Sequence, residues 1–346
     1  MSRSRATVSI RDVAAAAGVS VATVSRVLSP ASPDIPMRQA TRERVVRAID
    51  ELGYRPNDLA RALLQQRTST IGLVLPDISN PYYPPLVRGV EDAASAHGYR
   101  VVLCNTDGDP EKIAAYLDIL VKARVDGIVV AGGGLPQLPG PPLVFETYRT
   151  KLVMVGRHRL AHPSVQIDNV AATRAATAYV VGLGHRGIAF LGGPASSSTA
   201  RDRLLGYREA RRDAGLPEAG PDTVRTGGFD ERGGYHAARS LLGGEPPTAL
   251  VCVNDRTALG AYAALADAGL SIPADVSVVG FDDVPMASFV RPTLTTVAVP
   301  TYEIGQAALR LLRDALDGTA TTEPVLLPTR LVVRTSCAPP RAAGAR

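Results

Sequence analysis

Two hydrophobic rhythms divide this chain. From Val8 to Leu28, in VSIRDVAAAAGVSVATVSRVL, small and apolar residues recur at three- and four-residue steps, so Ile10, Val13, Ala14 and Ala17 share one helical face. Ser9 and Asp12 have the spacing of a reciprocal helix cap. Gly18 can take the positive φ of a sharp stop, and Ser20 is suited to cap a second helix. In that second stretch Val24, Val27 and Leu28 point one way and Val21, Ala22, Ser25 and Arg26 another. The pattern predicts helix, tight turn, helix. A third helix is predicted from Thr41 to Leu52, with Val45, Val46, Ile49 and Leu52 inward and Gly53 at its end. Between them, SPASPDIPMRQA holds three prolines and predicts a loop.

From Thr70 the rhythm changes. TIGLVLPD, YRVVLCNT, DGIVVAG, KLVMVGR, RGIAFLGG, PTALVCVND and DVSVVGFDD are short apolar runs of the kind buried on both faces of parallel sheets. Helical stretches such as PPLVRGVEDAASAHG and DRTALGAYAALADAG separate them, each ending in Gly. This predicts a doubly wound α/β body, with one sheet or two left open by periodicity. Ahead of it, Pro56 breaks the third helix, and Asn57 can cap a new one reaching Leu64. Such a helix is too short to be stable alone, because nucleation costs more than its few bonds return.

Composition narrows the class. A chain of 346 residues, 45% hydrophobic, holds several domains with substantial cores, which excludes a disordered or fibrous chain. Residues 1 to 67 contain 11 Arg and no Lys against 6 acidic residues, whereas the remainder balances 27 basic with 27 acidic. The whole net charge of +5 therefore lies in the first fifth, as for a polyanion-binding end on a neutral body. The start, MSRSRATVSI, lacks the apolar core of an export signal. Residues 127 to 145 are uncharged but carry four Pro and five Gly, which rules out a membrane helix there. Cys104, Cys252 and Cys337 have no metal-ligand spacing and read as reduced thiols of a cytoplasmic chain. His185, in LGHRG, reads as a loop residue. AGGGLPQLPG lacks the Lys of a phosphate-binding loop, and no cofactor is expected.

The candidate chemistry derives from the α/β pattern. In open α/β sheets ligands bind beyond the carboxyl ends of the strands. Those ends carry Asp77, Asn80, Tyr82, Tyr83, Arg157, Asp168, Ser196, Arg201, Arg203, Phe229, Asn254 and Asp282. Aromatic faces with planar, forked polar groups suit a sugar. No nucleophile, base or metal set is visible, so the chain is not read as an enzyme. A sugar-binding protein without a DNA role, and a sugar-modifying enzyme, remain as rivals. In the predicted second helix, small outward residues would admit the backbone to the major groove, where Arg26 can pair with guanine or hold a phosphate, and periodicity alone fits an ordinary Ala-rich helical hairpin equally well.

DVAAAAGVSVATVSRVL closely resembles the helix-turn-helix of the lac/galactose repressor family of bacterial transcription factors. The likeness continues through TRERVVRAIDELGYRPNDLARALLQQRTSTIGLVLPDISNPYY and, more loosely, to about residue 334. It implies an all-α headpiece (residues 1–55), a hinge helix and linker (56–68) and a body (69–346) of the periplasmic-binding type. In that body one subdomain comprises 69–166 and 297–327, the other 167–296 and 328–346. The resemblance implies DNA contacts by Ser20, Val21, Ala22, Thr23, Ser25, Arg26 and Tyr54. In the hinge, Asn57 and Ala60 lie at the DNA and Leu63 wedges between base steps in the minor groove. It further implies effector contacts by Tyr82, Tyr83, Asp168, Arg203, Phe229, Asn254 and Asp282. The implied partners are double-stranded, pseudo-palindromic operator DNA, a small effector such as a sugar, and a second copy of the chain. The loop at 29–40 is longer than the family's, and the Pro-rich segment at 135–142 stands where relatives have a longer helix. The tail, RLVVRTSCAPPRAAGAR, has no leucine heptads, which favours a dimer over a tetramer.

Overall fold

The computed structural model describes residues 8–28, 37–54, 67–132, 150–158, 160–243 and 246–341. The chain divides into two compact units, Met1–Thr68 and Ser69–Arg346. The loop at 29–36, the hinge with Asn57, Ala60 and Leu63, and the Pro-rich segment lie outside the described residues.

The first unit holds α1 (Ile10–Ala17), α2 (Val21–Leu28) and α3 (Gln39–Leu52). Asp12 accepts from the Ser9 backbone N–H at 2.8 Å, and Gly18 ends α1 at φ 60°. Ser20 caps α2 by accepting from the Thr23 N–H at 3.2 Å. The core joins Val13, Ala14, Ala17, Val24, Val45 and Ala48, with Tyr54 packed against it. Two expected core residues do not belong: Val46 and Leu52 are exposed. Val45, Ala48 and Ile49 form the i, i+3, i+4 set, and Val46, one step on, is turned about 100° away from Val45.

The second unit contains two six-stranded sheets. The first has the order β2-β1-β3-β4-β5-β11, from β1 (Thr70–Leu75), β2 (Arg100–Asn105), β3 (Gly127–Ala131), β4 (Lys151–Val155), β5 (Ser164–Gln166) and β11 (Val325–Leu326). The second repeats that order as β7-β6-β8-β9-β10-β12, from β6 (Ile188–Gly192), β7 (Val224–Thr226), β8 (Ala249–Cys252), β9 (Ser277–Asp282), β10 (Thr295–Ala298) and β12 (Arg330–Val332). All pairings are parallel except β10 with β12. The helices are α4 (Tyr83–Ser95), α5 (Pro110–Lys122), α6 (Asn169–Gly182), α7 (Ser198–Asp213), α8 (Glu231–Leu241), α9 (Asp255–Asp267) and α10 (Thr301–Leu316). Three apolar clusters result: α5 covers one face of the first sheet, α8 and α9 one face of the second, and a continuous cluster joins the remaining faces.

The chain passes between sheets three times: after β5, after β10 and between β11 and β12. Because Ala298 still pairs with Asp282 in the second sheet, the middle passage falls at 299–300 rather than before 297. Strand β2 departs from the expected two-sided burial: it pairs only with β1, and Val102 and Leu103 are exposed. An apolar run does not reveal whether its strand is central or at an edge. His185 lies in the loop between α6 and β6, as expected, and is a buried junction there. Its Nδ1 pairs with Thr248 Oγ1 at 2.9 Å, and its Nε2 lies 3.0 Å from Ser277 Oγ and 2.9 Å from the Ala338 carbonyl. It thereby fastens the C-terminal segment to the second sheet.

Candidate functional site

Within the first unit, α2 exposes Val21, Ala22, Ser25 and Arg26 and buries Val24. Ser20 is also exposed, and Thr23 is half-buried, with its hydroxyl paired to Ser20 Oγ at 2.9 Å. Tyr54 donates its N–H to the Ile49 carbonyl and rests on the small core.

In the second unit, the carboxyl ends of both sheets border one cavity of about 470 Å³. That size lies in the range of small-molecule sites. Tyr82, Tyr83, Arg203, Phe229, Asn254 and Asp282 all line it. Tyr82 and Tyr83 meet edge to face at a centroid distance of 5.0 Å, and burial pushes both phenols well up, so they act as neutral hydrogen-bonding groups.

Arg203 is buried, and its guanidinium is fixed on three sides. Nε donates to Asn169 Oδ1 at 2.8 Å, Nη1 to the Val253 carbonyl at 2.5 Å, and Nη2 lies 3.4 Å from Asp282 Oδ1. The ring of Phe281 lies beneath it at 3.5 Å. Burial pushes the Asp282 carboxyl up to about 6, with Arg203 opposing the rise. The carboxylate and guanidinium thus form a rigid fork in the cavity wall, suited to adjacent hydroxyls. Asn254 is a positioned wall as well. Its Oδ1 accepts from the Thr257 N–H at 2.8 Å and its Nδ2 donates to the Phe229 carbonyl at 2.8 Å, tying the Phe229 loop to the start of α9.

Asp168 is placed differently from expectation. It is exposed, caps α6 by accepting from the Ala171 N–H at 2.8 Å, and does not line the cavity; its neighbour Asn169 does. The Asp168 carboxylate is turned to the helix start, while Asn169, one position on, reaches the cavity. Arg157 likewise turns aside, giving Asp202 two hydrogen bonds of 2.7 and 2.5 Å from the end of β4 to α7. Arg201 donates to the carbonyls of Ala195 and Ser196.

Two residues missed by sequence reasoning complete the site. Arg256 lines the cavity, binds Glu231 through two hydrogen bonds of 2.9 and 2.7 Å and reaches Asp77 across the cleft at 3.6 Å. It lies two residues after Asn254, a signal at the β8 strand end that was available. Asp255 is fully buried behind the wall, accepting from the Val284 N–H at 2.8 Å and from the Thr296 hydroxyl at 2.5 Å. It pins a turn in which Asp282 and Asp283 take φ of 111° and 59°, and Arg334 holds Asp283 from the far side at 2.6 Å. This over-determined backbone aims Asp282 into the cavity. Gly280 makes room: a Cβ there would lie 2.1 Å from Asp255 Oδ1. Burial and the nearby Asp282 push the Asp255 carboxyl up to about 8.

Among the described residues no cluster could hold a metal ion, and no helix is long and apolar enough to cross a membrane.

Residues 4–57 match the family described as bacterial regulatory proteins, lacI family, and residues 68–335 match periplasmic binding proteins and the sugar binding domain of the LacI family. The HTH-type transcriptional regulator RegA of Clostridium saccharobutylicum is 40% identical over 319 residues, 91% of this chain and 95% of that protein. Among solved structures, the Lac repressor dimer bound to operator and the anti-inducer ONPF matches with a TM-score of 0.83 at 29% identity, covering 96% of this chain and 99% of that one. The transcriptional regulator CelR–cellobiose complex matches at 0.69 with 35% identity, covering 95% and 99%.

Proposed function

Because the chain belongs to the lacI family of bacterial regulatory proteins, we propose that it is a DNA-binding transcriptional repressor whose operator affinity is set by a small polar effector, a sugar or sugar derivative, held in the cleft. It acts in the cytoplasm as a homodimer on pseudo-palindromic DNA, carries no cofactor and performs no catalysis.

The observation that carries this reading is the Arg203–Asp282 fork, buried at the strand ends of a cleft, in the same chain as a helix-turn-helix with a small, exposed recognition face. Residues 1–55 select the site, residues 56–68 form the hinge, and the body reports the ligand. Among the described residues two ionic ties span the cleft, Arg157–Asp202 and Arg256–Asp77. Both are partly solvated, and such pairs contribute about 0–1 kcal/mol each. The subdomains change orientation about the three passages, and ligand with unequal affinity for two orientations shifts the balance. That movement alters the spacing of the paired hinge segments, and a helix too short to persist unsupported melts, withdrawing Leu63 from the minor groove.

Arg26→Ala is expected to weaken operator binding by about 1–3 kcal/mol and relax base preference at one position in each half-site. Competition assays with single-base variants read this directly; a uniform loss assigns Arg26 to phosphate, and unchanged affinity removes it from the interface. Leu63→Ala is expected to reduce the bend of bound operator in circular-permutation gels, and a wild-type bend would remove the wedge.

A further inference from the structure

We propose that the cleft, read as a small-ligand site, selects an uncharged polyhydroxyl ligand and excludes its phosphorylated and carboxylated counterparts. Among the described residues, the acidic and basic side chains lining the cavity are four aspartates, Asp77, Asp107, Asp230 and Asp282, and two arginines, Arg203 and Arg256. Lys112, paired with Asp107 at 2.5 Å, offsets one aspartate, and the wall still carries an acidic excess before any ligand enters.

Neither cation is an unpaired charge. The guanidinium of Arg203 is committed to Asn169, the Val253 carbonyl and Asp282, and its face to Phe281. Arg256 faces carboxylates on two sides, Glu231 and Asp77. A phosphate approaching either one meets the carboxylate already paired with it, and repulsion in a partly desolvated cleft outweighs what remains of the attraction.

The second route to anion binding is a helix N-terminus with open N–H donors. Three of the helices that begin at the second sheet's strand ends, α7, α8 and α9, are capped by their own chain: Ser197 accepts from the Ala200 N–H, Asp230 from the Gly233 N–H and Asn254 from the Thr257 N–H, whereas α4 and α10 begin without a side-chain cap. Asp168 does the same for α6. Of these caps Asp230 is a carboxylate that lines the cavity, and it places negative charge where an anion would dock. Hydroxyl groups suffer none of this. They donate to the aspartates and accept from the N–H groups that Arg203 and Asn254 have left over.

The test is a matched panel titrated into the full chain by calorimetry: D-ribose with ribose 5-phosphate, D-glucose with glucose 6-phosphate and gluconate, and cellobiose with cellobionate. The neutral member of a binding pair is expected to be at least about tenfold tighter than its charged counterpart. Asp77→Asn combined with Glu231→Gln frees Arg256 and is expected to narrow that gap by about tenfold. A charged member binding wild-type protein as tightly as its neutral partner overturns the charge selection and leaves the cleft a ligand site. If ligand binds but Arg203→Lys leaves both affinities unchanged, the ligand is outside this cleft, and the reading on which the selection rests fails.

Discussion

Asp282→Asn is expected to weaken ligand binding by about 30- to 150-fold while leaving operator affinity in the absence of ligand within about twofold of wild type. The factor corresponds to about 2–3 kcal/mol for losing charge-assisted hydrogen bonds from ligand hydroxyls. Asn fills the same volume and can accept from Arg203, so the fold is preserved, and the burial penalty on the Asp282 carboxyl disappears with its charge. Calorimetry measures the ligand term and fluorescence anisotropy the operator term. A pH series adds a signature that a merely structural residue would not give. In the unliganded protein this carboxyl is pushed up to about 6, so wild-type affinity is expected to fall as pH drops below about 6, approaching tenfold per pH unit. The Asn variant is expected to be flat. The stability sign runs the other way: the folded chain holds this proton more tightly than the unfolded one, so Asp282's contribution to stability declines as pH rises from about 4 to about 6.

Asp255→Ala is expected to cost about 2–5 kcal/mol of stability in the second unit, because the Val284 N–H and the Thr296 hydroxyl lose their acceptor inside the protein. It should also weaken ligand binding, since the turn that aims Asp282 loses its anchor. Asp255→Asn retains an acceptor and is expected to be milder. With its carboxyl raised to about 8, folded Asp255 binds a proton more tightly than unfolded Asp255, and stability is expected to fall as pH rises toward 8. Thermal denaturation at pH 6.5 and 8.0 checks this: the wild-type melting temperature should drop between the two, and the Asn variant should lose most of that difference. An Ala variant as stable as wild type would show that Asp255 does not hold the turn.

Much of the architecture was legible because its signals are local. Ser9 with Asp12, the small-residue face of α2, and seven uninterrupted Val-, Ile- and Leu-rich runs each require only near neighbours. The strands that periodicity did not resolve, β5, β7, β10, β11 and β12, have two to four residues, too few to display a period. Site residues at strand ends were legible in kind, and six of the seven expected effector contacts line the cavity. Which of two adjacent polar residues faces inward was not: Asp168 and Asn254 both cap helices, yet only Asn254 lines the cavity, and beside Asp168 it is Asn169 that does. Asp255 illustrates a different limit. Its role depends on Thr296 and Val284, 41 and 29 residues away in sequence, brought together by the pairing of β8 with β9 and of β9 with β10.

The central claim is that occupancy of the cleft controls occupancy of DNA. Its direct measurement is the affinity of the full chain for an operator selected in vitro, by fluorescence anisotropy, with and without saturating cleft ligand. The account expects at least about a fivefold change in Kd, and no change when the same titration is repeated with Asp282→Asn at a ligand concentration that saturates only the wild type. An operator affinity identical with and without ligand, under conditions where calorimetry shows the cleft filled, would contradict it.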